Sequence, residues 1–157
     1  HLLETEYFIG LEKKISIPFI TGLGTESGVN PLGNLWTAFH EQKAEIMGVI
    51  ADEEELGASY PCSEEGYFNY FVGARAKVSQ VPKDFQGWEL ISGEYIICTF
   101  EAENFESLVR DALYKAFQYL NNVWLPNHKL RTAAFSAERY ASHSSDTTKM
   151  EIWLKVI

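Results

Sequence analysis

Two periodicities run along the chain. Apolar residues alternating with polar ones mark strands, and apolar residues spaced three and four apart mark helices. The first alternating stretch lies between Glu12 and Leu23, where Ile15, Ile17 and Phe19 share a face. A glycine-rich loop from Gly22 to Gly28 follows. Asn30-Pro31 then predicts a helix start, with Asn as the cap and Pro at the first helical position. Leu32, Leu35, Trp36 and Phe39 recur at i, i+3, i+4 and i+7, a helical stripe that should end near Ala44. The acidic run from Asp52 to Glu55 reads as a solvated loop. Short strands are expected from Ala58 to Tyr60 and from Tyr67 to Ala76.

The second half has the same order. Residues from Glu89 to Ala102 are rich in β-branched and aromatic side chains and predict a strand. Asn104 caps a helix with Leu108, Val109, Ala112, Leu113, Ala116, Phe117 and Leu120 on one face; Asn121-Asn122 and Pro126 should end it, with Trp124 covering that end. Strands from Ala133 to Tyr140 and from Met150 to Ile157 close the chain. Each half is therefore strand–helix–strand–strand. The expected fold is α+β, a duplicated module with an antiparallel sheet and both helices packed on one face. The chain is read as one domain, 1–157, with pseudo-repeats at about 8–78 and 86–157.

Length agrees with that reading, since 157 residues bury a sizeable core without disulfides or metal. Aromatic residues reach 14%, with 4 Trp, 8 Tyr and 10 Phe, enough to build both a core and a ligand wall. Acids outnumber Lys and Arg by 22 to 13, a formal charge of −9. That balance argues against nucleic acid and against an anionic membrane surface, and it is compatible with cationic ligands. Cys98 lies in an apolar run and reads as a buried free thiol; Cys62 follows Pro61 in a turn. The histidines His1, His40, His128 and His143 do not cluster with other ligands at metal spacing and read as surface or turn residues. Ser142, Ser144, Ser145 and Asp146 surround His143 in one polar loop, which is not how triads are assembled. No cofactor or metal is expected. With no spanning segment and no signal peptide, the cytoplasm is the default location.

Candidate chemistry sits on the last two strands. Glu138 and Tyr140 share a face of one, and Glu151 and Trp153 share a face of the other, opposite a core row of Met150, Ile152, Leu154 and Val156. If the two faces coincide, two carboxylates and two rings converge, an arrangement suited to a lipophilic cation. Either pair alone also fits an ordinary exposed strand face. Trp36 belongs to the core stripe or borders the groove. Tyr60, Tyr67, Trp88 and Phe135 could serve either role, with Trp88 first among them.

The ending Glu138-Arg139-Tyr140, a loop, and Met150-Glu151-Ile152-Trp153-Leu154-Lys155-Val156-Ile157 resembles the close of the GyrI-like small-molecule-binding domain. That is the effector-binding domain of AraC-type and MerR-type bacterial transcription activators. The family often ends in Glu-x-Tyr, a loop, and Glu-Ile-Tyr-Ile-Pro-Val; here Trp153 replaces the Tyr and Lys155 the Pro. Tyr70-Phe71-Val72-Gly73 is similar to the family's Tyr-x-x-Gly strand, and the element order matches from about Ile15 to Ile157. The resemblance implies a ligand groove between the halves, and binding of hydrophobic, often cationic, compounds by stacking aromatics and an essential Glu. Glu138 and Glu151 match the two family glutamates by position, and Tyr70 and Trp153 match family aromatics. It also implies a minor hydrolytic branch that opens strained cyclopropane-bearing compounds.

The expected ligand-binding residues are Glu138, Glu151, Trp153, Tyr140, Tyr70, Trp88, Trp36, Phe135 and Tyr67, with no catalytic residue assigned. The expected partner is a small molecule, a lipophilic cation being favoured. The chain itself should not bind nucleic acid or membrane. The family's DNA-binding helix-turn-helix finds no counterpart here, so a DNA-binding partner domain or protein would lie outside this chain. A hydrolase using Glu138, or a protein-interaction domain, are the competing functions; enzyme activity stays open and is the weaker reading.

Overall fold

The computed structural model describes residues 1–17, 31–46, 50–77, 79–141, 144 and 146–157, with the backbone alone at 51–53. The end of the first predicted strand, the glycine-rich loop, Asn30, and Ser142, His143 and Ser145 lie outside the described residues. Among the described residues seven strands, β1 (Glu6–Ser16), β2 (Ile50–Pro61), β3 (Tyr67–Ala76), β4 (Gln86–Leu90), β5 (Tyr95–Glu101), β6 (Ser136–Tyr140) and β7 (Lys149–Lys155), form one sheet. Its order is β4-β1-β3-β2-β6-β7-β5, and every pairing is antiparallel. Helix α1 (Pro31–Gln42) joins β1 to β2 through a short 3-10 turn at Lys43–Ile46. A longer helical run, α2, spans 105–128 between β5 and β6. The two strand–helix–strand–strand halves abut along β2 and β6, and β4 extends the outer edge beside β1. No helix among the described residues is long and apolar enough to cross a membrane.

Several boundaries differ from the sequence reading for physical reasons. β1 begins at Glu6, six residues before the predicted start, because Glu6 to Gly10 pair with β4 on one side while Phe8 onwards pairs β3 on the other. The expected strand from Glu89 to Ala102 is two strands, separated where Gly93 takes φ +146°, a conformation that L side chains rarely adopt. The acidic run is not a loop: it lies within β2, whose register shifts between Ile50 and Glu55. α2 does not end at Asn121-Asn122. Its α-helical pieces Phe105–Ser107, Leu113–Tyr119 and Leu125–His128 are linked by π turns at Leu108–Ala112 and Leu120–Trp124. Pro126 has no N–H to give an α-helical carbonyl, and the wider turn ahead of it lets the run pass that position. At the other end Asn104 caps as expected, its side-chain oxygen accepting from the Ser107 N–H at 2.9 Å. Trp124 stacks on His128 at 4.0 Å between ring centres inside this last stretch. The strands expected from Ala133 and to Ile157 shorten to β6 and β7.

Both faces of the sheet carry apolar residues. Under α1 lie Ile9, Ile15, Tyr70, Val72 and Ala74 with Leu35, Phe39 and Ile46; under α2 lie Ile152 and Leu154 with Leu120 and Leu125. The far face buries Phe8, Leu56, Ala58, Phe71, Leu90 and Ala137 beneath half-buried Tyr60, Trp88, Tyr95, Phe135 and Trp153. β3 is central and buried on both sides, which is why Tyr70 to Ala74 run continuously buried instead of alternating.

Candidate ligand site around Glu138

Register decides what Glu138 faces. It pairs with Gly57 of β2 on one side and Ile152 of β7 on the other, so it points toward the helices at the seam between the halves. Its residue exposure is 8%. Tyr70 Oη and Tyr140 Oη each donate to Glu138 Oε2 at 3.2 Å. Trp36 Nε1 on α1 donates to Tyr70 Oη at 3.1 Å, and its ring meets Tyr140 edge-on at 5.5 Å. Trp36 therefore belongs both to the helical stripe and to the site.

Gly57 is the floor of this arrangement. A Cβ there would lie 2.6 Å from Tyr70 Oη, 3.2 Å from Glu138 Oε2 and 3.3 Å from Trp36 Cζ2. The bare backbone lets the phenol and the indole close over the carboxylate. A glycine inside a strand is the signal that could have flagged the position, and the sequence reading passed over it.

Burial drives the electrostatics. It pushes the Glu138 carboxyl above its ordinary value, and the Tyr70 and Tyr140 hydroxyls pull it part of the way back. Burial, then the nearby Glu138 charge, pushes both phenols well above their ordinary value, so they remain protonated donors at neutral pH. Among the described residues the hydrogen-bond partners of Glu138 are these two neutral phenols.

A second buried carboxylate lies on the same face. Glu55, opposite Tyr140, is 2% exposed and was expected in a solvated loop. His40 Nε2 lies 2.8 Å and Lys43 Nζ 2.7 Å from its two oxygens, tying the end of α1 to β2. His40, expected as a surface residue, is half-exposed and committed to this contact. Unlike Glu138, Glu55 is compensated.

The expected convergence of the two acid–aromatic pairs does not occur. Ala137 pairs with Trp153 and Arg139 with Glu151, so Glu151 and Trp153 stand on the far face of the sheet. There Trp153 Nε1 donates to Glu151 Oε2 at 2.8 Å, and the Arg139 guanidinium sits 4.4 Å from the Trp153 ring centre. Arg139 also bonds Glu54 and lies 2.9 Å from Glu6. Trp88 is on that face too, against Phe135 at 5.5 Å. Of the nine predicted residues, Glu138, Tyr140, Tyr70 and Trp36 come together, and Glu151, Trp153 and Trp88 do not join them.

Tyr67 and Phe135 line a groove of about 550 Å³ at the end of the sheet, bounded also by Phe68, Phe117, Leu154 and Ile17. Its floor includes Ser59 and Ser136, a paired couple two residues along from Gly57 and Glu138 on the same face. The groove thus lies one same-face row, about 7 Å, from the carboxylate. Among the described residues, none that line it is charged. Cys98 is half-buried, and among the described residues no cluster of His, Cys, Asp or Glu is arranged to hold a metal.

The fold is thus a strand–helix–strand–strand duplication, with a buried acid and an apolar groove near the seam between its halves. The sequence matches the family model of the GyrI-like small-molecule-binding domain over residues 3–157, and the chain belongs to that family. No curated protein matches it. Its fold is similar to that of SAV2435, solved bound to tetraphenylphosphonium: TM-score 0.69, 14% identity, covering 100% of this chain and 92% of that one. It is similar to an integron cassette protein from the mobile metagenome of Vibrio cholerae, with TM-score 0.67, 16% identity, and 100% and 94% coverage. It is also similar to the EcmrR C-terminal domain, with TM-score 0.59, 14% identity, and 100% and 94% coverage. Against EcmrR solved in complex with DNA, the chain spans about half of that protein, 55%. At these identities the likeness establishes the fold.

Proposed function

We propose that this domain binds hydrophobic organic cations in the groove beside Glu138, with Glu138 as the counter-charge. Tyr70, Tyr140 and Trp36 supply the surrounding rings, and Phe68 and Phe117 the outer wall. The observation that carries the reading is a buried carboxylate whose hydrogen-bond partners among the described residues are two neutral phenols, one strand row from an aromatic groove. Such a carboxylate has lost water without gaining a positive partner, and an arriving cation restores the missing interaction. Each ring face adds about 0.5–2 kcal/mol of cation–π attraction, depending on desolvation. A protein of the same fold holds a lipophilic cation, which supports the class of ligand. Glu151 is only half-buried and accepts from Trp153 and Thr99, and this far-face group supports the sheet instead of the ligand.

The test is a titration of Trp fluorescence with tetraphenylphosphonium and with a neutral tetraphenyl analogue, for wild type and Glu138→Gln. Saturable binding that prefers the cation, with the preference lost in the variant, is expected. Equal binding of cation and neutral analogue by the wild type would remove Glu138 from the site.

A further inference from the structure

We propose that the ligand this site takes best is a protonated primary amine on a slender stem with an aromatic or apolar body, in preference to a bulky or quaternary cation. The inference rests on the cation-binding reading above and names the chemical class within it. Three oxygens converge at the inner end: Glu138 Oε2, with Tyr70 Oη and Tyr140 Oη each 3.2 Å from it. All three can accept. A phenol oxygen has two lone pairs, so Tyr70 accepts from Trp36 Nε1 at 3.1 Å and keeps one for a ligand while still donating. An ammonium group has three N–H donors and no acceptor, which matches three acceptor oxygens. A quaternary nitrogen or phosphonium offers none.

Space points the same way. Even a single methyl on Gly57 would stand 3.2 Å from Glu138 Oε2 and 3.3 Å from Trp36 Cζ2. The carboxylate's surroundings are therefore tight, and a bare ammonium end asks these neighbours to move less than a cationic centre carrying three further carbons. Bulk belongs farther out, where Phe68, Phe117, Tyr67 and Leu154 line about 550 Å³ with no charged side chain among the described residues. The step from Ser136 at the groove floor to Glu138 is two strand residues, about 7 Å, so charge and body should be separated by a stem of that length.

The experiment compares phenylbutylamine, phenylbutyltrimethylammonium, phenylbutanol and tetraphenylphosphonium on the intact chain at neutral pH. Trp fluorescence is read for wild type, Glu138→Gln and Tyr140→Phe, with circular dichroism melts to confirm folding. Phenylbutylamine is expected to bind at least about tenfold more tightly than its trimethyl analogue, the ratio set by the charge-assisted hydrogen bonds. Tyr140→Phe, which keeps the ring, should shrink that ratio. If the trimethyl compound or tetraphenylphosphonium binds as tightly or more tightly and still depends on Glu138, the ammonium class is overturned and the cation reading stands. If phenylbutanol matches both cations, or Glu138→Gln changes nothing, both readings fall.

Discussion

Glu138 and Glu151 carry the same local pattern, a carboxylate two residues ahead of an aromatic ring on a strand, and the fold gives them opposite surroundings. Glu138 faces the helices, nearly closed off, with two phenols as its hydrogen-bond partners. Glu151 faces the other way, bonded to its own Trp153 and set across from Arg139 in a network with Glu6 and Glu54. Both carboxylates accept from neutral donors, but Glu138 is buried while Glu151 is only half-buried. A carboxylate that has lost its water gains more from an arriving cation than one still partly solvated, so the pattern means different things on two sides of one sheet.

The sharpest way to break this comparison is to neutralise each acid in turn. Glu138→Gln should weaken tetraphenylphosphonium binding roughly ten- to a hundredfold, the loss of one interaction with a charged group. Glu151→Gln should change it less than about twofold. Similar losses at both positions, read by calorimetric titration, would end the distinction.

Next in size is the compensated acid, Glu55. Glu55→Ala strands Lys43 and loosens the end of α1. Breaking a buried pair costs about 3–5 kcal/mol, and the partial exposure of Lys43 and His40 lowers the expectation to about 2 kcal/mol in urea unfolding. An unfolding midpoint equal to wild type would show that Glu55 does not anchor α1.

Gly57→Ala should cost about 1–3 kcal/mol by overpacking against Tyr70. Tyr70→Phe in the same chain removes the oxygen that the new methyl meets. Part of the stability should return while cation preference does not. A double variant no more stable than Gly57→Ala would place the strain elsewhere.

The smallest effect is in pH. The Glu138 carboxyl is raised above its ordinary 4.5 by burial, so the fold favours its protonated form. Its stabilising contribution is complete below 4.5 and is lost as pH rises through the raised folded value. Glu138→Gln should therefore gain stability relative to wild type between acid and neutral pH, seen as a rising Tm difference. Cation binding by the wild type should run in the opposite sense, weakening in acid as Glu138 takes up its proton.

Much of the fold was legible in single elements. The stripe Leu32, Leu35, Trp36 and Phe39 is a helix, with Leu35 and Phe39 buried, and Asn104 caps the second helical run. Alternation assigned Met150, Ile152 and Leu154 to the core, and they are 2%, 0% and 4% exposed. Periodicity failed where polar residues turn inward. Glu55, Gly57 and Ser59 look like the solvent side of β2, yet they face the helices, because Leu56 and Ala58 are needed for a core on the other side. Stop signals failed at Asn121-Asn122 and Pro126, where π turns carry the run onward.

The sequence by itself determined the element types, their duplicated order and the motif that holds Glu138 and Tyr140 on one face, because a strand's side chains alternate whatever it pairs with. Only the tertiary structure decided that Glu138 meets Tyr70, Trp36 and Gly57 while Glu151 is turned away. That choice depends on register between strands distant in sequence, and a shift of one residue would send each side chain to the opposite face.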